Sequence, residues 1–335
     1  MRTVAARRFV FCASLAVAAL LAAMFAALFA APGRAADNYP DHKVRVIVPF
    51  AAGGPTDVIG RMVAERLSDA WGRQLYVENM PGAGGNLGVE AAGRAVPDGY
   101  TIVVVSTGFI INPSMYSKIG YDPVKDFAPI SLVAASPNVV TVHPSVPAKD
   151  LKELIALIKA NPGKYSYAQP ATGSTPHLAG ELFKQTYNLD LVTVPFNGAP
   201  LAINSTLGNH TPIAFTALPP AMGNVKDGSL RGIAILAKER LTALPDLPTN
   251  VEEGVPGLES DTLTGILAPA GTPKAVIDKW NAAIVKMAAD PETRKRLDTL
   301  GFVPVANSPD QFAERIKLEM ARWDKVVKAA GIHVD

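Results

Sequence analysis

The segment Ile47-Val-Pro-Phe-Ala-Ala-Gly-Gly-Pro-Thr-Asp-Val-Ile-Gly-Arg61 constrains the fold of this chain more than any other. Val44 to Phe50 is an apolar, β-branched run and reads as a buried strand. Gly53 and Gly54 make a turn, and a helix follows with Ile59, Met62, Val63, Ala64 and Leu67 on its apolar face. Pro55 suits the first helical turn, where its missing N–H would be unpaired anyway. Thr56 and Asp57 are placed to cap free amides. Strand, glycine turn and helix start together form an anion site, because unpaired N–H groups and the positive end of the helix dipole converge there. A tight turn that binds nothing is the alternative on this stretch alone.

The same arrangement recurs. Tyr165 to Ala168 reads as a strand followed by Thr172-Gly-Ser-Thr-Pro-His177 and a helix from Pro176 to Gln185. Leu191 to Pro195 is followed by Phe196-Asn-Gly-Ala-Pro200 and another helix. Between these units lie strands at Gln74–Val77 and Thr101–Val105, the latter ending at Ser106-Thr107-Gly108. Hydroxyls at the carboxyl end of such a strand stand where open α/β sheets bind ligands. Asn86 reads as the cap of a helix over 87–95, and Pro147 to Ala160 as an amphipathic helix. Pro129 to Val142 reads as a long strand passing between two domains. Further strands are expected at Ile213–Thr216 and Leu230–Leu236, with a return strand at Thr262–Ala268. Three helices close the chain, capped by Thr272-Pro273, Asp290-Pro291 and Ser308-Pro309. The last ends at Gly331 and carries Phe312, Ile316, Met320, Trp323 and Val327 as a core-facing stripe. Strand–helix alternation implies an α/β protein with a mostly parallel sheet in each half.

The beginning of the chain has its own logic. Arg2, Arg7 and Arg8 precede an apolar run from Phe9 to Ala31, and small residues at 33 and 35 follow. This is a secretory signal pattern over residues 1–36, cleaved after Ala35 or Ala36, with an uncleaved anchor as the alternative. Arg2, Arg7, Arg8 and Arg34 face no acid in this segment, so its removal takes the formal charge from +2 to −2. A near-neutral mature chain offers no basic excess for nucleic acid. The single cysteine, Cys12, lies in the signal core, which leaves no disulfide, thiolate nucleophile or cysteine metal site in the mature chain. The expected product is an exported protein.

Several chemistries lack their motifs. There is no G-x-S-x-G elbow. His42, His143, His177, His210 and His333 show no metal spacing. The glycine-rich run from Asn79 to Gly88 departs from the dinucleotide fingerprint, with Leu at position 87. No cofactor is expected. An exported hydrolase using Ser174, His177 and Asp57 is the enzymatic alternative. What remains is three glycine-rich helix starts and a hydroxyl loop, whose neutral donors suit a carboxylate without a covalent step. Two α/β lobes around a cleft would trap such a solute by closing on it.

The motifs Pro49-Phe-Ala-Ala-Gly-Gly-Pro-Thr-Asp57 with Arg61, Asn79-Met-Pro-Gly-Ala-Gly-Gly-Asn-Leu-Gly88, Pro97-Asp-Gly-Tyr-Thr101, Gly173-Ser-Thr-Pro-His-Leu-Ala-Gly-Glu181, Val194-Pro-Phe-Asn-Gly198 and Ala268-Pro-Ala-Gly-Thr-Pro273 occur in this order. With Trp323 to Gly331, they make the chain resemble the periplasmic solute receptors of tripartite tricarboxylate transporters, the Bug family. The resemblance spans essentially the whole mature chain. It implies a two-lobed type II periplasmic-binding-protein fold hinged on two crossing strands, with 37–137 and 262–335 as lobe one and 138–261 as lobe two. It also implies a carboxylate held in the cleft, partly through water. By position, Phe50, Gly53, Gly54, Thr56, Asp57, Ser106 and Thr107 would line lobe one, and Thr172, Gly173, Ser174, Thr175, His177, Asn197 and Gly198 lobe two. The implied partners are a small carboxylate and membrane transporter subunits, with a sensor protein as the alternative to the transporter. A monomer is expected. Gln169-Pro170, Phe196-Asn197 and Gly208-Asn-His-Thr-Pro-Ile-Ala-Phe215 depart from the family pattern and leave ligand identity open.

Overall fold

The computed structural model describes residues 38–334, and the signal pattern with Cys12 lies outside them. Residues before Lys43 form a separate unit from the body considered below. β1 (Val44–Val48) buries Val46, Ile47 and Val48 completely. α1 (Pro55–Trp71) follows the glycine turn, and Gly60 lets it lie close on the sheet: a Cβ there would stand 2.9 Å from Val48 Cγ2. β2 (Leu75–Asn79) pairs parallel to one side of β1, and β3 (Thr101–Ser106) parallel to the other. Between them comes α2 (Asn86–Gly93). Asn86 is its first residue, not its cap. Gly85 holds the cap position, and the Asn86 amide oxygen accepts from Asn112 (2.6 Å) and Tyr121 (3.1 Å).

α3 (Gly108–Met115) has no counterpart in the sequence reading, which stopped at Gly108. Pro113 disguises it. Proline lacks the N–H that would bond to Phe109 O; the Tyr121 hydroxyl lies 3.3 Å from that carbonyl and shares its one proton between it and Asn86 Oδ1. β4 (Phe127–Val142) then runs for 16 residues, far beyond an ordinary strand. α4 (Leu151–Ala160) begins four residues later than Pro147, because Asp150 accepts the Glu153 N–H and caps it there. β5 (Ser166–Gln169), α5 (Thr175–Tyr187), β6 (Val192–Pro195), α6 (Ala199–Leu207) and β7 (Ile213–Ala217) repeat the opening unit. A further short helix, α7 (Leu218–Lys226), was not anticipated, and β8 (Arg231–Ile235) follows it.

β9 (Asp261–Pro269) returns alongside β4, and α8 (Lys274–Ala289), α9 (Pro291–Thr299), β10 (Val303–Pro304) and α10 (Pro309–Ala330) complete the chain. Asp290 and Ser308 cap their helices as read, the latter in a reciprocal box with Gln311. Thr272 does not cap α8: its hydroxyl donates to Pro269 O at 2.8 Å, and Pro273 holds the cap position.

The strand order is β2-β1-β3-β9-β4-β7-β5-β6. Each half holds three parallel strands, β1–β3 and β5–β7, and the strands joining them are antiparallel. β4 belongs to both halves. Its first part pairs with β9 from Phe127↔Pro269 to Pro137↔Asp261, and its last part pairs with β7 from Asn138↔Ala217. Pro137 marks the change of partner, at a position where no N–H is needed. Separate cores sit beneath each half, around Ile47, Val103, Phe127 and Phe312 and around Leu154, Tyr167, Phe183 and Phe215. A smaller cluster bridges them: Ile111 and Met115 of α3, Leu178 of α5, and Trp323 and Val327 of α10. Among the described residues no helix is long and apolar enough to cross a membrane.

Candidate ligand cleft

Three chain segments that exit strands or start helices meet between the two halves. Phe50, Ser106 and Thr107 come from the first half and Thr172, Gly173, Ser174 and Thr175 from the second, around a cavity of about 50 Å³. Gly84, Gly108, Asn112, Ala171 and Thr262 complete its wall and were not among the residues expected from sequence. Asn112 stands at i+4 from Gly108 on α3, which places both on one helix face. Gly84 belongs to the glycine run that failed the dinucleotide fingerprint, and its carbonyl accepts from Asn112 at 3.1 Å. No Asp, Glu, Lys, Arg or His lines the cavity. Among the described residues no group of three or more His, Cys, Asp and Glu side chains could hold a metal ion.

The hydroxyls of the wall are arranged as donors. Ser106 Oγ accepts the Gly108 N–H (3.3 Å), Thr107 Oγ1 the Leu263 N–H (2.8 Å), and Ser174 Oγ the His177 N–H (3.4 Å). Each oxygen spends acceptor capacity on backbone and keeps its own proton to give. Thr107 and Ser174 are also the cap residues of α3 and α5, so two helix N-termini meet here. Thr175 Oγ1 meets Thr262 Oγ1 at 2.7 Å, and Thr262 reaches Asn138 Oδ1 at 3.3 Å. The cavity wall is thereby bonded to β4 beside Pro137.

The other expected residues stand back from the cavity. Gly53 is exposed, Gly54 starts α1 and Thr56 is buried. Asp57, 3% exposed, accepts the Gly53 N–H (2.9 Å), Arg61 Nε (2.9 Å) and Asn79 Nδ2 (2.8 Å). Its carboxylate ties the first turn to β2. Burial pushes this carboxyl up, but bonds from Arg61, Gly53 and Asn79 outweigh burial and hold it below its ordinary value. Its stabilising contribution is therefore complete above the unfolded-chain value near 3.9 and is lost as pH falls through the depressed value. Asp57→Ala should cost about 2 kcal/mol at pH 7. Chemical unfolding should show the gap from wild type narrowing below about pH 4; an equal gap at pH 7 and pH 3 would contradict this role.

His177 is buried behind the turn, with Nδ1 accepting the Gly173 N–H at 3.0 Å. Asn197 is exposed, and Gly198 donates to Pro170 O at 2.7 Å while Phe196 donates to Gln169 O at 2.9 Å. These two backbone bonds join the segments that carry the departures at 169–170 and 196–197, at the exit of β5.

A model of the tripartite tricarboxylate transporter family receptor matches residues 59–332. The chain belongs to this receptor family. The protein BugT of Bordetella pertussis is 33% identical over 299 residues, covering 89% of this chain and 92% of that one. Among solved structures, the periplasmic binding protein BugD superposes with a TM-score of 0.82 at 35% identity, over 88% of this chain and 99% of that one. A Rhodopseudomonas palustris protein with adipate gives 0.85 at 31% identity, over 88% and 99%. MatC from the same organism, with bound malate, gives 0.79 at 31% identity, over 86% and 100%. The two-lobed architecture of such binding proteins is the fold seen here.

Proposed function

We propose that this receptor captures a small carboxylate in the cleft and delivers it to the membrane subunits of a tripartite tricarboxylate transporter. The observation that carries this reading is the set of Ser106, Thr107 and Ser174 hydroxyls, each accepting from backbone and left to donate into a cavity without charged side chains. Such a site suits an anion that needs orientation and no chemistry. The adipate- and malate-bound relatives support the carboxylate class. The signal pattern and the periplasmic relative support a periplasmic location. Within the body that starts at Lys43, lobe one comprises 43–137 and 262–334, and lobe two 138–261, so that Pro137 and Asp261, paired across β4 and β9, mark the hinge. A cavity of about 50 Å³ holds a carboxylate head and not a six-carbon diacid, so lobe separation admits the solute.

The receptor reading is favoured over a hydrolase by the partners of the three candidate catalytic groups. His177 Nδ1 is occupied by the Gly173 amide, Ser174 Oγ meets only the backbone N–H of His177, and Asp57 is committed to Gly53, Arg61 and Asn79. No base is oriented on the serine, as acyl transfer requires.

The test is thermal unfolding of the mature protein against carboxylates including malate, adipate, citrate and aspartate. A ligand at about 100 times its dissociation constant adds about 2.7 kcal/mol. That raises Tm by several degrees, at roughly 2–4 °C per kcal/mol. A bound acid recovered chemically altered, with turnover abolished by Ser174→Ala, would overturn the proposal.

A further inference from the structure

Thr172, Gly173 and Ser174 reach the cavity on one tight turn, closed by the Ser174 N–H on Ala171 O at 3.0 Å. Gly173 has φ +78°, and its N–H points at His177 Nδ1. An N–H meets only a lone pair, so Nδ1 is unprotonated and the ring proton of neutral His177 is on Nε2. That nitrogen faces Glu181 Oε1 at 3.8 Å, one helical turn on. Glu181 is itself held: its Oε1 accepts from the Tyr167 hydroxyl (2.8 Å), the Thr193 hydroxyl (2.5 Å) and Lys184 Nζ (3.1 Å). Gly180 makes this possible, because a Cβ there would stand 2.6 Å from Tyr167 Cζ and push the phenol off its acceptor.

We propose that His177 is a positioning residue: its neutral Nδ1 anchors the Gly173 amide and so sets the turn that forms the lobe-two wall of the cleft, with Glu181, Tyr167, Thr193 and Lys184 fixing its tautomer. Protonation replaces the lone pair with a second N–H facing the first, and the anchor is lost. The charges acting on the ring are Glu181, which favours protonation, and Lys184, which opposes it; burial opposes it most and holds the ring below its ordinary value. The anchor is therefore intact at neutral pH and fails on acidification below about 6.5, as pH falls through the depressed value. The consequence for solute capture rests on the cleft being the ligand site.

The closing experiment needs no solute. Amide hydrogen exchange reports the protection factor of Gly173 in wild type, His177→Asn and His177→Ala, with the β5 amides as a folding control. Asparagine places Oδ1 where Nδ1 stood and does not titrate. Expected are wild-type protection at pH 7 that falls by about tenfold on acidification, protection in His177→Asn that does not follow pH, and protection in His177→Ala that is about tenfold below wild type at pH 7 and converges with it on acidification. Nitrogen-15 spectra of labelled histidine should show the His177 proton on Nε2. Unchanged Gly173 protection in His177→Ala, or a proton on Nδ1 at pH 7, would overturn the inference. If the anchor behaves as expected but none of malate, adipate, citrate or aspartate binds, the receptor proposal fails and the anchor stands.

Discussion

Gly265→Ala should unfold with a loss of about 3 kcal/mol, a drop in Tm of roughly 6–12 °C at the scale typical of larger domains. Gly265 lies in the middle of β9, opposite Val105 on one side and Leu132 on the other. The ring of Phe312 stands directly over it: an added Cβ would be 2.6 Å from Cε1 and closer still to Cζ. Phe312 cannot retreat. It is 1% exposed, sits in the first turn of α10 and follows the Ser308 capping box. The methyl therefore has to move α10 or the sheet. Chemical unfolding of the purified mature protein measures the loss. Gly265→Ala combined with Phe312→Leu should recover part of it, because the two sites share one contact. A single variant within 0.5 kcal/mol of wild type would mean that α10 yields at little cost, contrary to the packing argued here.

Gly173→Ala should act on solute binding more than on stability, weakening the affinity for a carboxylate by on the order of 30-fold. The backbone strain of an L-residue at φ +78°, about 1–2 kcal/mol, is present with the halves apart or together and falls on stability. The affinity loss comes from the new methyl, which overlaps Cε and Sδ of Met115, itself 2% exposed. Met115 belongs to α3 in one half and Gly173 to the turn in the other, so the collision penalises the approach of the halves and not the fold of either. About 2 kcal/mol of such differential cost corresponds to the stated loss of affinity. Titration calorimetry against the best acid of the thermal panel measures it, and Met115→Ala in the same chain should restore the steric share only. A large fall in Tm with affinity unchanged would assign the contact to folding and remove it from closure.

Much of this protein was legible locally. The strand–glycine–helix units at 44–71, 166–187 and 192–207, the caps at Asp290 and Ser308, and the α10 stripe of Phe312, Ile316, Trp323 and Val327 all rest on neighbours within about two helical turns. Propensity, capping and periodicity act at that range. α3 is hidden in the sequence because Pro113 argues against a helix, and the Tyr121 hydroxyl, which the fold brings within 3.3 Å of the Phe109 carbonyl, lies beyond local reach. Asn86 carried a cap's identity but served Asn112 and Tyr121, since a buried amide goes to the partners that bury it.

The sequence by itself determined the class of site: glycine turns and hydroxyls at helix starts, in an order that resembles one receptor family. Tertiary structure alone decided which groups face the cleft. Thr107 Oγ1 accepts the N–H of Leu263, 156 residues on, and keeps its proton to give, and Thr175 is tied to the crossing strand by Thr262. Asp57 and His177, expected to line the site, accept hydrogen bonds from Asn79 and from the Gly173 amide. The reason is physical. A polar side chain at a turn has several partners within reach, and the choice among them depends on which other groups the fold buries beside it.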